Sequence, residues 1–309
     1  MKAILFGNGL NLLNGYTTWN DLIQRIDDKG DGQKIPNTLH YEAQILQQPY
    51  KVTETITYED EPLNYNGETR NFTIGMESSF KNGVAHNMQQ YTSNDVYRRM
   101  ASLNGVQHYL TTNYDQVMKQ TLLAMGYEEQ EHVRAENTYS LRRRHILANA
   151  EGEWKHIWHI HGESEAPQTI MLGLHQYCGS VGRISEYLNG KYKYKQKKQM
   201  QTMPKLVEHL KAGIVEPFSW IDLFFIADIY IVGFSLLYDE IDLWWVLTRR
   251  KRLKRQGIDI KNKIYFCGNV APGKEELLNI MDVKVITPVA APNDYLGQYM
   301  SLLDEIERG

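Results

Sequence analysis

The chain has 309 residues, of which 42% are hydrophobic and 23% charged, a composition that can build a packed core and excludes collagen-like, low-complexity and disordered architectures. With 34 Lys and Arg against 37 Asp and Glu the formal charge is −3, which excludes a histone-like basic protein and confines any nucleic-acid contact to a local patch. Two cysteines, Cys178 and Cys267, are too few for a disulfide framework and leave no CxxC pair for a structural zinc, so a reducing cytoplasm and no zinc are expected.

The first apolar run, residues 2–6, is broken by Gly7 and is too short for the core of a signal peptide, so export is not expected. Thr18 and Asp21 stand at capping-box spacing and open a helix over 19–26. From 27 to 100 the pattern changes. Gly30, Gly32, Pro36 and Pro49 precede a β-rich stretch at 52–57 and 71–74 across a turn at Asn66-Gly67, which reads as an insertion spanning about 28–100.

Further strands are expected over 106–112, 157–161, 169–172, 229–234, 263–267 and 283–287, with helices beginning near Gln116 and over 239–254. A lysine- and tyrosine-rich interruption at 179–213 reads as a second insertion, helical towards its end. Residues 218–237 are apolar enough to suggest a membrane span. Asp222, Asp228 and Gly233 argue instead for a helix followed by a buried strand. Most strands read as continuous apolar segments followed by helical periodicity. The fold class is therefore α/β: one domain over 1–309, with a Rossmann-like parallel sheet, helices on both faces, and an inserted smaller α/β-hairpin region.

Chemistry-bearing residues gather where predicted strands end. Gly7-Asn8-Gly9 follows the first strand, where glycines let backbone approach a phosphate or simply turn tightly. The full dinucleotide fingerprint fails because position 12 is Leu. Thr112, Asn113 and Asp115 follow the second strand and face the crevice at its carboxyl edge, unless Asn113 or Asp115 serves only as a helix cap. His159 and His161 lie on or just after a strand. A metal pair there lacks a completing ligand set, and His161 beside Gly162 suits acid–base work near neutral pH.

Gly233 and Ser235 end another buried strand, and Asn269 follows a further one. The segment 268–275 falls one residue short of a phosphate-binding P-loop because Glu275 replaces the hydroxyl, so an ordinary strand-to-helix turn is expected. Basic runs at 191–198 and 249–255 read as solvated faces, with nucleic-acid or partner contact as the competing account.

Taken in order, FGNGLN, TTNYD, HIHG and VGFS resemble the sirtuin-like family, whose Rossmann-type domain binds NAD. The resemblance implies that Gly7 and Gly9, with Asn8 and Asn11 in the same motif, serve the dinucleotide. It assigns Asn113 and Asp115, beside Thr112, to the nicotinamide ribose, and makes His161 catalytic. Gly233, Ser235 and Asn269 match less specifically, as phosphate or ribose contacts. The zinc-ribbon cysteines of the deacylase branch are missing, and the first motif reads GNGLN rather than GAGxS. The chain is more similar to sirtuin-like effectors of bacterial antiphage defence, of the Thoeris and abortive-infection type. The implied activity is NAD glycohydrolysis to ADP-ribose and nicotinamide, with NAD as substrate and no further cofactor. Its implied control is homo-oligomerisation or a partner protein. A non-catalytic NAD or ADP-ribose sensor, and an assembly subunit contacting nucleic acid, are the alternatives from other classes. ADP-ribosyl transfer or deacylation is the alternative within the class.

Overall fold

The computed structural model describes residues 1–16, 38–39, 41–42, 45, 67–136, 138–196, 199–214 and 216–308. The helix expected over 19–26, the strand at 52–57 and Asn66 of the turn lie outside the described residues. The strands are β1 (Lys2–Phe6), β2 (Val106–Thr111), β3 (Glu128–Val133), β4 (Arg144–Ala148), β5 (Trp154–His159), β6 (Lys193–Gln196), β7 (Gln199–Thr202), β8 (Asp228–Val232), β9 (Ile264–Cys267) and β10 (Val283–Ile286). Eight of them form one sheet in the order β10-β9-β8-β1-β2-β5-β4-β3, and β6 pairs with β7 in a separate hairpin. From β10 to β5 every pairing is parallel, while β5-β4 and β4-β3 are antiparallel. This is the expected α/β class, with the extra hairpin inside the lysine-rich 179–213 stretch.

The helices are α1 (Gly67–Met88), α2 (Asp95–Ala101), α3 (Val117–Ala124), α4 (Leu174–Leu188), α5 (Leu206–Ala212), α6 (Trp220–Ile226), α7 (Ile241–Arg255), α8 (Pro272–Ile280) and α9 (Tyr295–Arg308). Strand alternation sends Ile4 and Phe6 of β1 to one face and Ala3 and Leu5 to the other. On the first face they join Tyr97 of α2, Val117 and Leu122 of α3, and Leu303 and Ile306 of α9. On the second they join Ile184 of α4, Phe224 of α6, and Leu243 and Val246 of α7. Two apolar layers thus cover the sheet, which is why its parallel strands read as continuous apolar runs.

Several expectations need correction. Residues 71–74 are helical, within α1, whose buried Val84, Ala85 and Met88 continue a helical stripe. Residues 169–172 form no strand, because β5 already has β2 and β4 as neighbours. Instead a short 3-10 turn, Pro167–Thr169, leads the chain back, and Met171 N–H bonds His161 C=O at 2.9 Å. The antiparallel pair β3 and β4 was not expected. Its outer strand, β3, is an edge carrying Glu128, Glu129 and Glu131 to the surface, so it has no apolar signature. In the basic run of α7, Arg250 is not solvated. It is fully buried, donating from Nε to the Phe224 carbonyl at 3.0 Å and pairing with Asp282 at 3.3 Å.

Candidate functional site

β1 lies between β8 and β2, with β9 and β5 beyond, so five adjacent parallel strands present their carboxyl ends along one edge of the sheet. In open α/β folds that edge, where the strand order runs outward both ways, is where ligands bind. A cavity of about 520 Å³ opens there. Asn8 and Gly9 line it from β1, Thr112, Asn113 and Asp115 from β2, and His161 from β5. Gly233 and Ser235 line it from β8, and Asn269 from β9. Gly7 and Asn11 are not among its lining residues. Tyr295, Gln298, Tyr299 and Leu302 of α9 close another side.

The glycines at the β1 and β8 ends serve the approach of one chain segment to another. Gly9 N–H donates to the Gly233 carbonyl at 2.8 Å, and a Cβ on Gly9 would lie 2.6 Å from that oxygen. A Cβ on Gly7 would lie 2.6 Å from the Phe234 ring, and Gly233 itself has φ +60°. After Gly7 comes a seven-residue 3-10 segment, Asn8–Asn14, rather than an α-helix, so a helix dipole lends an anion little here. Gly9→Ala is expected to push the two strand ends apart and to cost about 1–3 kcal/mol. Thermal melts check the stability, and the cavity's ligand affinity should fall alongside.

Asn11 turns inward instead of towards a ligand. It is fully buried, donates from Nδ2 to Asp115 Oδ2 at 2.9 Å, and accepts the Tyr97 hydroxyl at 2.8 Å. Asp115 Oδ1 accepts Val117 N–H at 3.0 Å, so this carboxylate caps α3 as well as facing the cavity. Burial raises its pKa, against the opposing pull of these hydrogen bonds. Asn113 Nδ2 is buried with no hydrogen-bond partner of normal geometry among the described residues, although the side chain lies close enough to Asp115 and Tyr97 to favour their anions.

His161 lies just past β5 and is buried. Its Nε2 donates to Asp242 Oδ2 at 3.1 Å, and Asp242, at the start of α7, also accepts Ser180 Oγ at 3.0 Å and Leu243 N–H at 2.8 Å. A carboxylate held in this way fixes the imidazole tautomer. Nδ1 is then the basic nitrogen, beside two cavity-lining side chains: the Tyr177 hydroxyl at 3.5 Å and Glu240 Oε2 at 3.7 Å. Burial alone lowers the imidazole's proton affinity, but the Asp242 carboxylate outweighs it, and His161 is held above the usual histidine value. Burial pushes the Glu240 carboxyl up to about 7, with His161 opposing and Asp242 and Asp239 reinforcing the rise. Glu240, Asp242 and Tyr177 were missed from sequence. The one available signal was the cluster Asp239, Glu240 and Asp242, beginning four residues after Ser235.

His159 parts company with its neighbour. It lies among Glu163, His145 and Arg143 with the Asn113 backbone in hydrogen-bonding reach, and burial pushes its pKa down to about 3. Beside it stands Glu163, wholly buried. Its carboxylate accepts from Arg143 Nη1 at 2.8 Å, His132 Nε2 at 3.0 Å, His145 Nε2 at 3.0 Å and Gln116 Nε2 at 3.1 Å. The same segment bonds the Asn113 loop through Ser164 N–H to the Tyr114 carbonyl at 2.7 Å. Two groups bring possible cation donors within 4.8 Å of one another: His132, His145, Glu163 and Glu165, and His161, Glu240 and Asp242. In the first the Arg143 guanidinium also pairs with Glu163, and in the second Asp242 accepts three hydrogen bonds.

Residues 107–207 match the SIR2-like domain family. No curated protein matches the chain. The SIR2-like stretch runs from β2 into α5 and so carries the Asn113 loop, His161 and Tyr177, about a third of the chain. It supports the sirtuin-like resemblance and suggests an NAD-related function in general, since SIR2-like domains are often NAD-dependent enzymes. The strand ends at Asn8 and Gly9, Gly233–Ser235 and Asn269 lie outside the SIR2-like match and are tied to it by the shared cavity. No described helix is long and apolar enough to cross a membrane.

Proposed function

We propose that the cavity binds NAD and that the chain is an NAD glycohydrolase, releasing nicotinamide and ADP-ribose. The observation that carries the proposal is the meeting of the Asn113 amide and the His161 imidazole in one cavity with the β1 and β8 bends. Nicotinamide leaves the ribose as a neutral pyridine from a cationic one, so no acid has to protonate it. The remaining task is to hold a water against a developing oxocarbenium ion and to remove its proton. Asn113 lines the cavity and brings a side-chain amide to the ribose or the water. His161, with Nε2–H given to Asp242, has Nδ1 free to accept the proton.

Incubation of the protein with NAD, followed by chromatography for nicotinamide, tests the reading directly. Release at a rate above background is expected. Binding of NAD or ADP-ribose without any turnover would instead make the chain a sensor. Among the described residues lining the cavity there is no Lys or Arg. The extra phosphate of NADP would enter without a cationic partner, so NADP is expected to be about 10- to 100-fold poorer than NAD in the same assay.

By its resemblance to antiphage effectors, the protein acts in the cytoplasm of an infected cell, where NAD depletion ends phage production. Such an activity harms its host unless restrained, so the proposal includes control by self-association or by a partner protein. Light scattering with and without candidate partners, beside the nicotinamide assay, tests that control. An active monomer indifferent to every partner would count against it.

A further inference from the structure

The cavity wall holds an ionisable group that the mechanism above leaves idle. Glu240 precedes α7 and lines the cavity, with its Oε2 buried 3.7 Å from His161 Nδ1 and the Tyr177 hydroxyl in hydrogen-bonding reach of its carboxylate. The groups facing it are His161 from the end of β5, Tyr177 of α4, Tyr114 of the loop after β2, and Asp239 and Asp242 on its own segment. Among the described residues, Glu240 and Asp242 both stand against the His161 imidazole, at 3.7 and 3.1 Å. A cationic ligand at this place would have its charge favoured by the ionised Glu240 carboxylate in the cavity wall.

We infer that Glu240 is a catalytic carboxylate of this site: ionised, it faces the cationic nicotinamide-ribosyl group and the oxocarbenium ion formed from it, and protonation switches turnover off. The inference rests on the NAD-hydrolysis reading. In the step, the ribosyl C1′–N bond breaks and its electron pair stays on the nicotinamide nitrogen. A C1′–O bond forms to water, and the water's proton passes to His161 Nδ1. Glu240 moves no proton and supplies negative charge where positive charge develops. The active form therefore carries Glu240 ionised and His161 Nδ1 unprotonated, which makes it two protons poorer than the inactive acid form. The two groups are 3.7 Å apart and titrate as a pair. Burial raises the carboxyl's proton affinity. Activity should accordingly climb as pH rises through neutrality and fall below it.

The test is the pH profile of kcat/KM for nicotinamide release, taken across about pH 5 to 9, for the wild type, Glu240→Gln and Glu240→Asp. The wild type is expected to show a two-proton acid limb. Glu240→Gln should leave a one-proton limb, displaced to lower pH because His161 loses an anionic neighbour, and a plateau about 100-fold lower. Glu240→Asp should keep the two-proton limb. Calorimetry with NAD presented as its non-hydrolysable carbocyclic analogue supplies a readout independent of turnover and of variant folding: wild-type affinity for it should strengthen with rising pH relative to NADH, which lacks the pyridinium charge. A two-proton limb in Glu240→Gln, or the same pH response for the NAD analogue and NADH, overturns the inference and leaves the function reading intact. A wild type that binds neither nucleotide and releases no nicotinamide removes both.

Discussion

Replacing His161 by alanine is expected to lower nicotinamide release by about 10³-fold while leaving a folded protein. The imidazole lines the cavity, and the Asp242 carboxylate behind it keeps Ser180 and Leu243 as hydrogen-bond partners when the ring is gone. Asp242→Asn should cause a loss of similar order for a different reason. Its amide can donate to Nε2, which moves the imidazole proton to Nδ1 and blocks the nitrogen that has to accept one. Single-turnover rates with circular dichroism melts measure both variants. If either retains wild-type turnover, His161 is not the base, or Asp242 does not set its tautomer.

Glu163→Gln is expected to destabilise the fold by about 3 kcal/mol, the largest stability loss foreseen for a side chain outside the cavity lining. One carboxylate collects four donors, and an amide of the same shape loses the charge that pairs with Arg143 and turns one acceptor into a donor facing a donor. Burial works against the anion, but the hydrogen bonds from His132, His145 and Arg143 prevail and hold the Glu163 carboxyl far below the usual carboxylate range. A depressed folded-state pKa contributes stability that is present above the unfolded value of about 4.3 and lost as pH falls below it. Denaturant titrations at neutral pH and at descending acid pH should show the difference between wild type and variant shrinking as the solution becomes acidic. Equal midpoints at neutral pH would mean that this network contributes nothing to stability.

Local patterning made much of the architecture legible. β1, β2, β8, β9 and β10 each coincide with an apolar run expected as a strand, because a strand buried on both faces has to be apolar along its length, while β5 begins three residues before the run expected over 157–161 and ends at His159. The turn after β9 is the ordinary strand-to-helix connection expected of it, with Pro272 in the first turn of α8 and Glu275 beside it. Where the chain's environment is aqueous the signal vanished. β3 carries glutamates at a sheet edge, and β6 and β7 pair as an exposed ribbon inside a lysine-rich segment that was read only as helical towards its end. Residues 71–74 misled because four residues of β-forming character are too few to show a period, and the buried stripe that makes α1 helical lies further along it.

By itself the amino-acid order determined the α/β class, the position of each motif at a strand's end, and the shortage of cysteine that argues against a zinc ribbon. These are local properties, carried by neighbours a few residues apart. Which ends share a cavity was decided by the sheet order, which sets β8 and β2 on either side of β1 and which no local period encodes. Only the tertiary structure turned Asn11 from the ligand to Asp115, sent His159 and His161 to different networks, and brought Asp242 and Glu240 from the head of α7 against an imidazole some eighty residues earlier in the chain. Burial then decided the chemistry, since the same carboxyl group is an ordinary anion in water and, desolvated beside other acids, a group that titrates near neutrality.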